Sequence, residues 1–161
     1  MLEHDLKAAS YLVEAYLATG YSKEAAKICK KVMADKNSSR LSSEFMRMYW
    51  RTLLENKHYD ILQKELKGTI EQGPRPIAAI AQLIRGDMDM RQGEYEKALI
   101  DGYLRIVILF REVYSVQAEA LYKAAQCFEK LGEHANAEKM LEKLVSEYPN
   151  SYYNNKTKED A

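Results

Sequence analysis

The sequence predicts an all-α fold, a right-handed superhelical solenoid of about four helix-turn-helix repeats and about eight helices. Three observations carry this. Residues 118 to 151 form one complete helix-turn-helix pattern. Its apolar stripes have the period of a helix with one buried face. Its register can be traced three more times upstream, because the turn positions Gly20, Lys57, Gly93 and Gly132 follow one another at 37, 36 and 39 residues. A period of this size marks a stacked array of hairpins.

The expected domain is a single array over 1–151, with repeats at about 6–39, 43–76, 79–117 and 118–151. In the first repeat Leu12, Tyr16, Gly20, Ala25 and Val32 take the recurring places, and no proline closes it. In the second, Met46, Tyr49, Trp50 and Leu53 make the first stripe, Leu62 and Leu66 the second, and Gly73-Pro74 the stop. Leu62 stands where the other repeats carry a small alanine, which predicts a splayed hairpin.

The third repeat has Gly86, Gly93, Tyr95 and Ala98 in place, but Arg85 and Asp89 fall where apolar residues belong. Two readings remain open: an i, i+4 ion pair of little net value once desolvated, or a shifted register in which Ile77, Ile80, Ile84 and Met88 form the stripe. The run ALIDGYLRIVILFREVY that follows is longer than a standard second helix and predicts one that protrudes. The fourth repeat places Leu121, Ala124, Ala125 and Phe128 on one stripe. It breaks at Gly132, where φ > 0 is cheap, and continues with Ala137, Leu141, Leu144 and Val145 to Tyr148-Pro149. Residues 152–161 are a polar tail or the start of a capping helix, and repeat arrays need a polar outer face at their ends.

In the fourth repeat, Leu121, Ala125, Phe128, Gly132, Ala137 and Pro149 place large, small, aromatic, turn, small and closing residues as the tetratricopeptide repeat does, and the unit resembles that family. The segments RQGEYEKAL and SEYPNS, within residues 78 to 151, are similar to repeats of bacterial envelope proteins related to the TolA-binding protein and outer-membrane assembly lipoproteins. That resemblance implies a bacterial scaffold of the periplasm or cell envelope, in preference to the cytoplasm, if the chain is part of a longer protein. The start MLEHDLKAAS has neither the basic opening nor the apolar run of a secretory signal.

Composition narrows function. Lys plus Arg equals Asp plus Glu at 24 each, which removes the basic footprint of a nucleic-acid binder or a polybasic membrane-surface protein. The longest apolar run, IVILF, is far short of the roughly 20 residues a bilayer requires. Cys29 and Cys127 have neither a CxxC partner nor histidines at ligand spacing, and read as buried thiols. His4, His58 and His134 fall at the chain start and in two turns, where packing is a sufficient role. No phosphate-cradling, nucleophile-elbow or zinc motif is present. The expectation is therefore a non-enzymatic protein with no catalytic residues, no cofactor and no metal.

Stacked hairpins align their first helices along a concave wall. The wall positions give Ser10, Glu14, Leu17 and Ala18; Arg47, Arg51, Leu54 and Glu55; Leu83, Asp87, Met90 and Arg91; and Tyr122, Gln126, Glu129 and Lys130. The candidate partner-binding groove is Arg47, Arg51, Leu54, Leu83, Asp87, Met90, Arg91, Tyr122, Gln126 and Lys130, a mixture suited to gripping a peptide or partner helix. Arg47, Arg51, Leu83, Met90, Arg91 and Tyr122 are expected to carry most of the contact. The expected partners are protein or peptide, with no nucleic acid, no membrane insertion and possible homo-oligomerisation. The alternative is self-association, or a spacer in a larger envelope protein, suggested by the apolar helix around Ile106 to Phe110.

Overall fold

A computed structural model of the chain describes residues 2–34 and 41–160, with side chains over 6–34 and 41–157. The end of the first repeat, the side chain of His4 and the last residue of the tail lie outside the described residues. Among the described residues every regular element is helical, so the fold is an all-α helical repeat. The elements are α1 (Leu2–Ala18), α2 (Ser22–Met33), α3 (Ser43–Glu55), α4 (Tyr59–Gln72), α5 (Arg75–Arg91), α6 (Tyr95–Lys97), a π-helical stretch (Ala98–Tyr103), α7 (Leu104–Leu109), α8 (Tyr114–Lys130), α9 (His134–Glu147) and α10 (Tyr152–Asp160). None of the described helices is long and apolar enough to cross a membrane.

The four turns share one geometry. Gly20, Lys57, Gly93 and Gly132 have φ of 81°, 58°, 79° and 76°. At each, the following N–H donates five residues back: Tyr21 to the Tyr16 carbonyl, His58 to Leu53, Glu94 to Asp89 and Glu133 to Phe128, at 2.8 to 3.0 Å. This is the αL cap that satisfies carbonyls left open at a helix end. The acceptors Tyr16, Leu53, Asp89 and Phe128 each stand four residues before their turn, so the third repeat is in phase with the others.

The chain divides into two compact units, Met1–Gly68 and Thr69–Ala161. In the first, α1 and α2 form a hairpin and α3 packs on both. Its core is Val13, Ala25, Cys29 and Phe45, lined by Tyr16, Leu17, Ile28 and Val32. Leu12, expected in this core, is 47% exposed, and Val13 is buried in its place; the apolar stripe of α1 lies one residue further along than the pattern suggested.

Leu62 is fully buried at the place that Ala25, Ala98 and Ala137 hold in the other hairpins, also fully buried. A leucine there keeps helices apart, and α3 and α4 approach each other less closely than α1 and α2 do. Polar contacts span this hairpin: Tyr49 Oη donates to Glu65 Oε1 at 2.8 Å and Trp50 Nε1 to Glu65 Oε2 at 3.2 Å.

In the second unit α5 packs on the π-helical stretch, α7 and α8, and α10 packs on α8 and α9. Ile80, Ile84 and Met88 are buried, and so is Asp89. The helix is covered on more than one face, so Asp89 points inward together with Ile80, Ile84 and Met88, while Arg85 stays half-buried. The i, i+4 pair expected of Arg85 and Asp89 gives way to two other pairs: Asp89 with Lys97 at 2.7 Å, and Arg85 with Asp101 at 3.8 Å. The helix expected to run on through residue 114 ends at Leu109, and Phe110 and Val113 turn inward before α8 begins. A wide π turn over Ala98–Tyr103 takes up part of the extra length. The protruding helix is thus a correction, since burial of Phe110 and Val113 folds the run back. The tail residues 152–160 form α10.

Candidate functional site

In the second unit α5 and α10 both pack on α8, and α5, the π-helical stretch and α8 together hold a nearly closed polar cluster. Lys123 Nζ donates to Asp87 Oδ1 and Oδ2 at 2.7 and 2.9 Å and pairs with Glu119 Oε1 at 2.6 Å. Tyr103 Oη donates to Asp87 Oδ1 at 2.7 Å and lies 3.5 Å from Met90 Sδ. Glu119 and Lys123 are one helical turn apart on α8, and Asp87 reaches them from α5.

Burial alone would lower the Lys123 pKa, but Asp87 and Glu119 outweigh it and hold the ammonium above its usual range. Tyr103 is driven upward by burial and then by Asp87. Burial and Asp87 push Cys127 up to about 11, against a smaller opposing effect of Lys123. These directions describe a group locked in its charged form and two held in their neutral forms. The cluster joins α5, the π-helical stretch and α8. Among the described residues no three metal-ligating side chains converge. Cys29 and Cys127 are buried free thiols, with Cys29 Sγ 3.8 Å from Thr52 Oγ1.

The structure sorts the ten groove candidates by exposure. Arg51, Arg91 and Lys130 are exposed, and Arg47, Asp87, Met90 and Gln126 are half-buried. Leu83 is fully buried and Leu54 nearly so. Both belong to the core and offer nothing to a partner, because α5 and α3 are covered more widely than a single stripe implies. Tyr122, also buried, is covered from α10: the Tyr153 ring lies 5.5 Å away and Lys156 Nζ sits 5.4 Å over the Tyr122 face. Gln126 Nε2 donates to Tyr122 Oη at 3.1 Å. Asp87 is committed to Lys123.

Sequence reasoning missed Lys123, Glu119 and Tyr103. The i, i+4 spacing of Glu119 and Lys123 was a visible signal for half of the cluster. The arrival of Asp87 from 36 residues upstream was not. The turn histidines do not pack their hairpins: His58 is exposed, as is His134, whose Nδ1 lies 2.7 Å from Glu129 Oε2.

Residues 119–151 match the tetratricopeptide repeat family, whose repeats generally mediate protein–protein interactions. This is the segment of α8 and α9, with Ala120, Leu121, Ala124, Ala137 and Leu144 all fully buried. No curated protein matches the chain.

Proposed function

We propose that the protein is a non-enzymatic scaffold that binds a peptide or partner helix along the shared side of α5 and α8. The carrying observation is the placement of Met90, Arg91, Gln126 and Lys130 on accessible parts of α5 and α8 while Asp87, Glu119 and Lys123 rigidify the wall between them. An apolar thioether flanked by cations and an amide suits an amphipathic segment with acidic flanks. The match to an interaction repeat over residues 119–151 supports the same reading.

Affinity capture with the purified chain tests it, with a variant carrying Met90→Ala, Arg91→Ala and Lys130→Ala as control. A protein retained by the parent and lost by the variant, at equal helicity, supports the wall. A partner retained equally by both would remove these residues from the contact.

A further inference from the structure

The second helix of the third repeat turns an apolar stripe to solvent. Ile100 is 53% exposed and Ile108 58% exposed, with half-buried Leu104 between them and Leu109 alongside. The wide turn of the π-helical stretch keeps Ile100, Leu104 and Ile108 on one line, four residues apart on each side of Leu104. Asp101 and Arg105 run beside it. Their mutual contact and that of Asp101 with Arg85 are both 3.8 Å, the loose geometry of surface pairs. Three exposed aliphatic side chains on one short helix are costly unless covered.

We propose that a second copy of this chain covers the stripe, with the two helices antiparallel about a two-fold axis at Leu104. The spacing is self-complementary, as an isologous contact demands: Ile100 of one copy meets Ile108 of the other at both ends. The charges select this orientation. In an antiparallel pair the same flank of each helix faces its counterpart, so Asp101 of one copy comes beside Arg105 of the other, twice. A parallel pair would turn opposite flanks to each other and bring neither Asp101 nor Arg105 to these partners. The balanced total charge of 24 basic and 24 acidic residues removes long-range repulsion between copies. This surface is independent of the first-helix wall, so either can fail alone.

Sedimentation equilibrium of the full chain over a wide concentration range tests the pairing. The mass should rise towards twice that of one chain. Ile108→Lys, or Ile100→Lys at the other end, should hold it at one chain throughout, with the helical circular dichroism signal unchanged because both positions are exposed. Asp101→Arg alone and Arg105→Asp alone should each associate on the order of tenfold more weakly, about 1.4 kcal/mol. Mixing these two variants should restore association, since each supplies the charge that the other lacks. A single-chain mass at every concentration, undiminished association of the isoleucine variants, or a mixture no better than its components would each overturn the proposal.

Discussion

Gly102 lies so close to Gly86 that a Cβ on Gly102 would stand 2.6 Å from the Gly86 Cα. The two helices of the third hairpin meet backbone to backbone at this point. The π turn that sets Gly102 there leaves carbonyls without their usual helical partners, and Gln82 Nε2 donates to those of Asp101 and Gly102. Tyr103, the next residue, then packs on Gly86 and reaches Asp87.

Gly102→Ala should destabilise the protein by about 1–3 kcal/mol, because overpacking against backbone outweighs the gain in helix propensity. Urea unfolding followed by circular dichroism reads this as a lower midpoint. A midpoint at or above that of the parent would show that the helices can part at no cost.

Lys57 is the exception among the four αL turns, a side-chain-bearing residue at φ 58°. Lys57→Gly relieves the Cβ contact and should stabilise by about 0.5–1 kcal/mol, and Gly132→Ala should cost a similar amount. The paired shifts in thermal midpoint, of opposite sign, check the assignment of Lys57 as a repeat turn.

Leu62→Ala would bring the second repeat closer to its neighbours in sequence. It should nevertheless lose about 2–5 kcal/mol, because α3 and α4 are spaced for a fully buried leucine and cannot close on the cavity. Unchanged stability would mean that the hairpin collapses onto the alanine.

Lys123→Met removes the cation between Asp87 and Glu119. Leaving these carboxylates enclosed without it should cost about 3–5 kcal/mol at neutral pH. Guanidinium unfolding at pH 7 reads the loss.

Alkaline stability should depend on Cys127, whose pKa rises from 9.0 to about 11 in the folded chain. A raised folded pKa means that the thiol's contribution is complete below pH 9 and disappears as pH climbs towards 11. The loss is about 2 kcal/mol over that window. Cys127→Ala should remove this component from the pH dependence, leaving the alkaline decline due to Lys123 and Tyr103. An identical decline in both chains would show that the thiol does not titrate across unfolding.

The hairpins were legible because their signals are local. A glycine followed by two helical stripes at fixed offsets carries its meaning within one repeat, and the buried Ala25, Ala98 and Ala137 are found where the pattern put them. The candidate wall was less legible. Leu54, Leu83 and Tyr122 lie beside a stripe in sequence, yet the width of that stripe depends on how many neighbours cover the helix. Lys123 resembled one more solvated lysine, because its partner Asp87 lies in another repeat.

The sequence by itself determined the number of hairpins, their turns and the phase in which they repeat, since capping and amphipathic period are properties of contiguous residues. Tertiary structure decided which wall residues remain accessible, how Asp89 and Lys123 are paired, and where the third hairpin widens into a π turn. Those outcomes follow from burial and ion pairing between side chains far apart along the chain, and desolvation is known only once the covering helix is in place.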